Sequence, residues 1–119
     1  MDIRGKILAE LEQATGARSA GNEGRARVCA RRAAGMAARV FFDRQGVQPL
    51  DASPDHDGRA RNQSAYVLLQ TLAEYPGLAP DLRQAAIHLT LRVTEEFTLP
   101  VDVDLIADAK NLCSRLIPM

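Results

Sequence analysis

The stretch from Asn22 to Gly46 constrains this chain more than any other, because it contains no proline and its small and apolar residues recur at helical spacing. Asn22 suits the N-cap, where its side-chain oxygen can accept from a first-turn amide, and Gly46 can end a helix in the left-handed conformation. One long helix running to about Arg44 is predicted. At 100° per residue, Ala26, Cys29, Ala30, Ala33, Met36, Ala37, Val40 and Phe41 share one broad sector. That sector must be buried, and its alanines let a neighbouring helix approach closely, as suits the central helix of a bundle. Arg25, Arg32 and Arg39 lie seven apart and form a stripe on the other side, flanked by Arg27 and Arg31.

The remaining chain divides around this helix. Asp2 can cap a first helix carrying Ile3, Ile7, Leu11 and Ala14, with Gly16 as its stop and 17–21 as a loop. From Gly46 to Asn62 the chain is dense in Pro, Gly and Asp and reads as one long loop. A third helix is predicted from Ser64 to Tyr75 on Ala65, Leu68, Leu69 and Leu72, ended by Pro76-Gly77. Pro80 suits the first turn of a fourth helix whose apolar line is Leu82, Ala86, Leu89, Val93 and Phe97. After Pro100, Asp102 or Asp104 caps a last helix with Leu105, Ile106, Ala109, Leu112, Cys113 and Leu116 on one side. Only 4% of residues are aromatic and none is Trp, so the interior must be built from Leu, Ile, Val and Ala. These features predict an all-α, up-and-down bundle of about five helices in a single domain spanning 1–119.

Fifteen basic residues balance fifteen acidic ones, so net charge gives no reason to expect nucleic acid or an anionic membrane. Thirteen of the basic residues are Arg, however, and five of these lie between Arg25 and Arg39. Cys29 and Cys113 are the only cysteines, too few for a disulfide framework or a zinc site; both are expected reduced and buried. No run approaches the roughly 20 apolar residues that cross a bilayer, and the amino terminus lacks a signal-peptide pattern. A cytoplasmic protein without membrane contact is the expectation.

Candidate chemistry is sparse. Asp51, Asp55, His56, Asp57 and Gly58 resemble the start of a calcium loop, but aligning Gly58 with the turn glycine puts Ser64 where a bidentate Glu is required. An ordinary Asx-rich turn explains the segment, and no metal is expected. Ser53, Ser64, Cys29 and Cys113 are possible nucleophiles without a recognisable activating neighbour, and no Gly-rich loop opens a helix to cradle phosphate, so no cofactor is expected either. The stripe of Arg25, Arg32 and Arg39 is the candidate ligand-binding face, able to meet phosphates or carboxylates through bidentate pairing. The alternative is a solvated face paired to acids such as Glu23 and Asp43.

The order of elements, the Arg- and Ala-rich helix from Gly24 to Arg39, and the segments Asp81 to Ala86 and Asp104 to Lys110 together resemble the HEPN (higher eukaryotes and prokaryotes nucleotide-binding) family of small helical domains. The resemblance covers about three quarters of the chain and implies a homodimer. It also implies one of two functions: a non-catalytic module that binds nucleotides or assists a nucleotidyltransferase partner, or a metal-independent RNA endonuclease, often a toxin with an antitoxin partner. The cleaving members carry Arg, four to six residues, then His, and Arg83 and His88 have that spacing here. Gln84 departs from the pattern, since active members more often have Asn, Asp or His there. On one continuous helix, five residues turn through about 140° net, so Arg83 and His88 should diverge. His88 falls on the polar side near Gln84, Arg92 and Glu95, where a histidine is ordinarily solvated. The expectation is therefore a non-catalytic binding or scaffold module, with RNA cleavage through Arg83 and His88 as the alternative.

Overall fold

The computed structural model describes residues 3–46, 65–91 and 104–117, and these form five helices: α1 (Ile3–Ser19), α2 (Glu23–Gln45), α3 (Ala65–Ala73), α4 (Pro80–Leu89) and α5 (Leu105–Leu116). The chain is an all-α bundle, and the described residues include no strand. The loop carrying Asp51, Asp55, His56, Asp57 and Gly58 lies outside the described residues, as do Asp2, Ser53, Ser64, Arg92, Val93, Glu95, Phe97 and Asp102.

Capping chemistry sets most boundaries. Asn22 accepts from the Arg25 amide at 3.1 Å, and Gly46 ends α2 with φ +67°. Gly16 does not stop α1. The helix continues to Ser19 and ends in a Schellman-type turn, in which the Gly21 amide donates to Arg18 O, the Asn22 amide donates to Ala17 O, and Gly21 takes φ +80°. An interior glycine costs only about 1 kcal/mol, and continuing the helix buries Ala17 and extends Arg18 toward α2 and α5. Helix α3 stops at Ala73, two residues before the predicted Tyr75.

Helix α4 ends at Leu89, with Thr90 and Leu91 no longer helical, while the predicted Val93 and Phe97 lie outside the described residues. Two partners explain the break. The Thr90 hydroxyl donates to Ile87 O at 2.8 Å, and Arg31 reaches from α2 to donate through Nε to Leu89 O at 2.7 Å and through Nη2 to Leu91 O. The guanidinium thus satisfies carbonyls that another helical turn would have used. Asp104, not Asp102, caps α5, accepting from the Ile106 and Ala107 amides.

Helix α2 is central, packing on α1, α5 and α3, while α4 closes the far side against α3 and α5. Cross-helix pairs set directions: Arg18 meets Glu23, Gln13 meets Arg25 and Glu10 meets Arg32, so α1 and α2 run antiparallel. Asp81 with Arg115 and His88 with Asp108 give the same for α4 and α5. The core is one cluster drawn from all five helices. Its sector on α2 is wider than the periodicity indicated: Ala34, Gly35, Ala38 and Phe42 are buried, whereas Met36, Val40 and Phe41 are only partly so. Three neighbours surround the helix, and α3 covers the flank that a one-sided pattern would leave open. Arg18 ties the ends together, holding Glu23 through two nitrogens (3.0 and 2.8 Å) and Asp104 through a third at 2.8 Å.

Candidate functional site

Because three neighbours cover α2, little of it faces solvent. Apart from its two ends, what remains is Arg25, Val28 (46% exposed) and Arg32, with the half-buried Arg39 in line with them. Each stripe guanidinium is engaged through one nitrogen and at long range. Arg25 Nη2 lies 3.4 Å from Gln13 Oε1, Arg32 Nη1 lies 3.3 Å from Glu10 Oε1, and Arg39 Nε lies 3.6 Å from Asp43 Oδ1. Arg18 and Arg31, in contrast, use two or three nitrogens at ordinary hydrogen-bond distances. Most of each donor fork remains unused, and the exposed Arg25 and Arg39 contacts contribute about 0–1 kcal/mol each, whereas Arg32 also neutralises a Glu10 whose side chain is only 14% exposed. Of the flanking residues, Arg31 caps α4, and Arg27 stands 3.9 Å from Glu23, an ion-pair distance too long for a hydrogen bond.

Arg32 and Arg39 also border an open groove of about 930 Å³ between α1, α2 and α3. Gly35, Met36, Val40, Ala65, Leu68 and Ile3 form its apolar part, and Lys6 joins the two arginines on the rim against a single acid, Asp43. Among the described lining residues three cations stand against one anion, a formal +2, with Glu10 beside them at 3.3 Å from Arg32. Gly35 is part of its lining and allows Ala65, in the first turn of α3, to sit directly against α2. Arg25 lies further along the stripe, outside the groove. The stripe was legible as a seven-residue repeat; Lys6 and Glu10 were not, because their place beside it depends on the antiparallel register of α1.

Arg83 and His88 face different neighbours. Arg83 Nη2 donates to Tyr75 O at 3.0 Å, back toward the end of α3. His88 is not a solvated surface histidine: its side chain is 20% exposed and turned onto α5. A proton on Nδ1 donates to Asp108 Oδ2 at 3.1 Å, and this tautomer lets Nε2 accept from the Gln84 amide at 3.1 Å, an assignment that follows from the partners. Burial pushes the Asp108 carboxyl above its ordinary range, with the His88 imidazole acting in the opposite direction. Both ring nitrogens are thus occupied, and the Arg83 guanidinium is directed elsewhere.

Cys29 and Cys113 are buried free thiols. Cys113 Sγ donates to Ala33 O at 3.6 Å, and burial pushes its thiol up to about 12. Among the described residues no three His, Cys, Asp or Glu side chains group as metal ligands, and no helix is long and apolar enough to cross a membrane. In comparisons with protein families, with curated proteins and with solved structures, no match to this chain was found.

Proposed function

We propose that this chain is a helical binding or scaffold module of HEPN-like type, cytoplasmic and homodimeric, with no catalysis of its own, of the kind that accompanies a nucleotidyltransferase. The observation that carries the reading is the division among its arginines. Arg18 and Arg31 are fully committed to holding helices together, while Arg25, Arg32 and Arg39 present largely unused donor forks along one exposed face. Such a face suits recognition of anionic groups.

The alternative, RNA cleavage with an antitoxin partner, asks His88 to move protons and Arg83 to stabilise charge on one phosphate. Against it stand the separate engagements of Arg83 with Tyr75 and of His88 with Gln84 and Asp108. A dimer would not use the alanine sector of α2, which is buried inside the bundle; among the described residues Ile3, Leu8, Val28 and Ile87 are the larger apolar side chains left exposed.

Two measurements test the reading. Light scattering at micromolar concentration is expected to give twice the 13.0 kDa chain mass, and single-stranded RNA incubated without added metal is expected to stay intact. A solely monomeric mass removes the homodimer. RNA cutting that disappears in His88→Ala, in a variant that circular dichroism shows still folded at the assay temperature, and that persists in Asp108→Asn, replaces the binding module with the nuclease.

A further inference from the structure

We propose that the groove between α1, α2 and α3 is the docking site for an acidic amphipathic helix of a partner protein, whose carboxylates, seven residues apart, sit on Arg32 and Arg39. This rests on the reading of the chain as a binding module and names its class of partner.

Shape, lining and spacing point the same way. The groove follows α2 from Arg32 to Asp43, a rise of roughly 16 Å at about 1.5 Å per residue, or three turns of a helix lying alongside. Ile3, Met36, Val40 and Leu68 offer aliphatic surface without an aromatic ring, and Met36 can adapt to the shape of what it meets. A helix that lays aliphatic residues into such a groove repeats them every three or four positions. Arg32 and Arg39 are two turns apart, so the matching acids on that helix stand seven apart at the edge of its apolar face. Each guanidinium can keep its present partner, because Glu10 and Asp43 each occupy one nitrogen of the fork. Lys6 adds a third cation on the α1 side.

The same criteria weigh against other occupants. Single-stranded nucleic acid gains much of its binding from bases stacked on aromatic rings, and Phe41 meets both Phe42 and Tyr75 edge to face, all three outside the lining. Among the described residues a second copy of this chain offers no complementary feature, since no helix there carries two acidic residues seven apart.

The test uses the full chain and a fluorescein-labelled, lactam-stapled helical peptide of about three heptads, with Glu at every seventh position and Leu three and four residues after each Glu. Fluorescence anisotropy at low salt should show saturable binding that weakens as salt rises. Against Arg32→Ser/Arg39→Ser, checked for native helicity, affinity should fall on the order of tenfold or more, while Arg115→Ser on α5 should change it less than about twofold. A peptide of the same composition with alternate Glu residues shifted by one position should bind on the order of tenfold more weakly, and one with Lys for Glu should not bind. No binding of the Glu peptide, equal binding of the shifted peptide, or indifference to the two arginines overturns the proposal. So does an RNA oligonucleotide that binds more tightly through the same arginines, or a homodimer that the double substitution dissociates. If the peptide fails and RNA remains uncut, only this inference is lost; His88-dependent cutting removes the underlying reading.

Discussion

Gly35 of α2 and Ala65 of α3 approach so closely that a Cβ added to Gly35 would lie 2.7 Å from Ala65 Cβ and 2.9 Å from its Cα. Because the obstacle includes backbone, no flexible side chain can give way. Alanine at an interior helical position gains about 1 kcal/mol in propensity, whereas overpacking a filled contact costs about 1–3 kcal/mol or more. The clash should win. Gly35→Ala is expected to lower stability by about 1–2 kcal/mol in urea unfolding. Gly16→Ala, on the exposed side of α1 with nothing within 4 Å, should raise it by about 0.5–1 kcal/mol. Equal effects at the two sites would show that α2 and α3 do not meet at Gly35.

The Arg18 clasp predicts an acid-sensitive bundle. Hydrogen bonds from Arg18 hold the Glu23 and Asp104 carboxyls below their ordinary range. Depressed folded values mean that the stabilisation is present above the unfolded carboxylate values, near 4, and is lost as pH falls through the folded ones. All three side chains remain substantially exposed, so solvent screening limits the effect to about 1 kcal/mol at neutral pH. Arg18→Met should lower the melting temperature at pH 7 and flatten its decline between about pH 5 and pH 3. A parallel downward shift at every pH would assign Arg18 a packing role alone.

Burial also sets the reactivity of Cys113. A thiol with its pKa pushed up to about 12 holds almost no thiolate at neutral pH, and it sits beneath α2 against Ala33 O. A disulfide-exchange reagent at pH 8 is expected to leave Cys113 unmodified in the folded chain and to label it in urea, at a rate that follows unfolding. Rapid labelling without denaturant would mean that α5 opens from α2.

Features written in consecutive residues were legible, and those made by pairs of helices were not. Asn22 and Gly46 announce α2 because capping is local chemistry. The Arg25, Arg32, Arg39 stripe follows from helical spacing alone. Gly16 misled because an interior glycine is only a weak penalty, outweighed by the burial of Ala17 and the clasp at Arg18. The end of α4 at Leu89 depends on Arg31, 58 residues earlier, and the partner of His88 is Asp108, 20 residues later, on a different helix. The groove is a product of the register between α1, α2 and α3, for which no single segment carries a signal.

The pairing of His88 with Asp108 yields the last prediction. Asp108 is half-buried and its carboxyl is already pushed up by that burial, with the imidazole the main influence holding it down. Removing the ring in His88→Ala leaves a carboxylate with its partner gone, at a cost of about 1–3 kcal/mol. A raised folded pKa means that stability is fully present below the unfolded value, near 4, and is lost as pH rises through the folded value. The variant should therefore become progressively less stable from about pH 4 to neutrality. Adding Asp108→Asn removes the charge while keeping the shape, so His88→Ala/Asp108→Asn should recover about 1 kcal/mol over His88→Ala at pH 7 and almost nothing near pH 4. Urea unfolding of the two variants across that range measures the difference directly. A recovery that is absent, or the same at both pH values, would show that Asp108 is adequately solvated without His88 and that the pair does not hold α4 to α5.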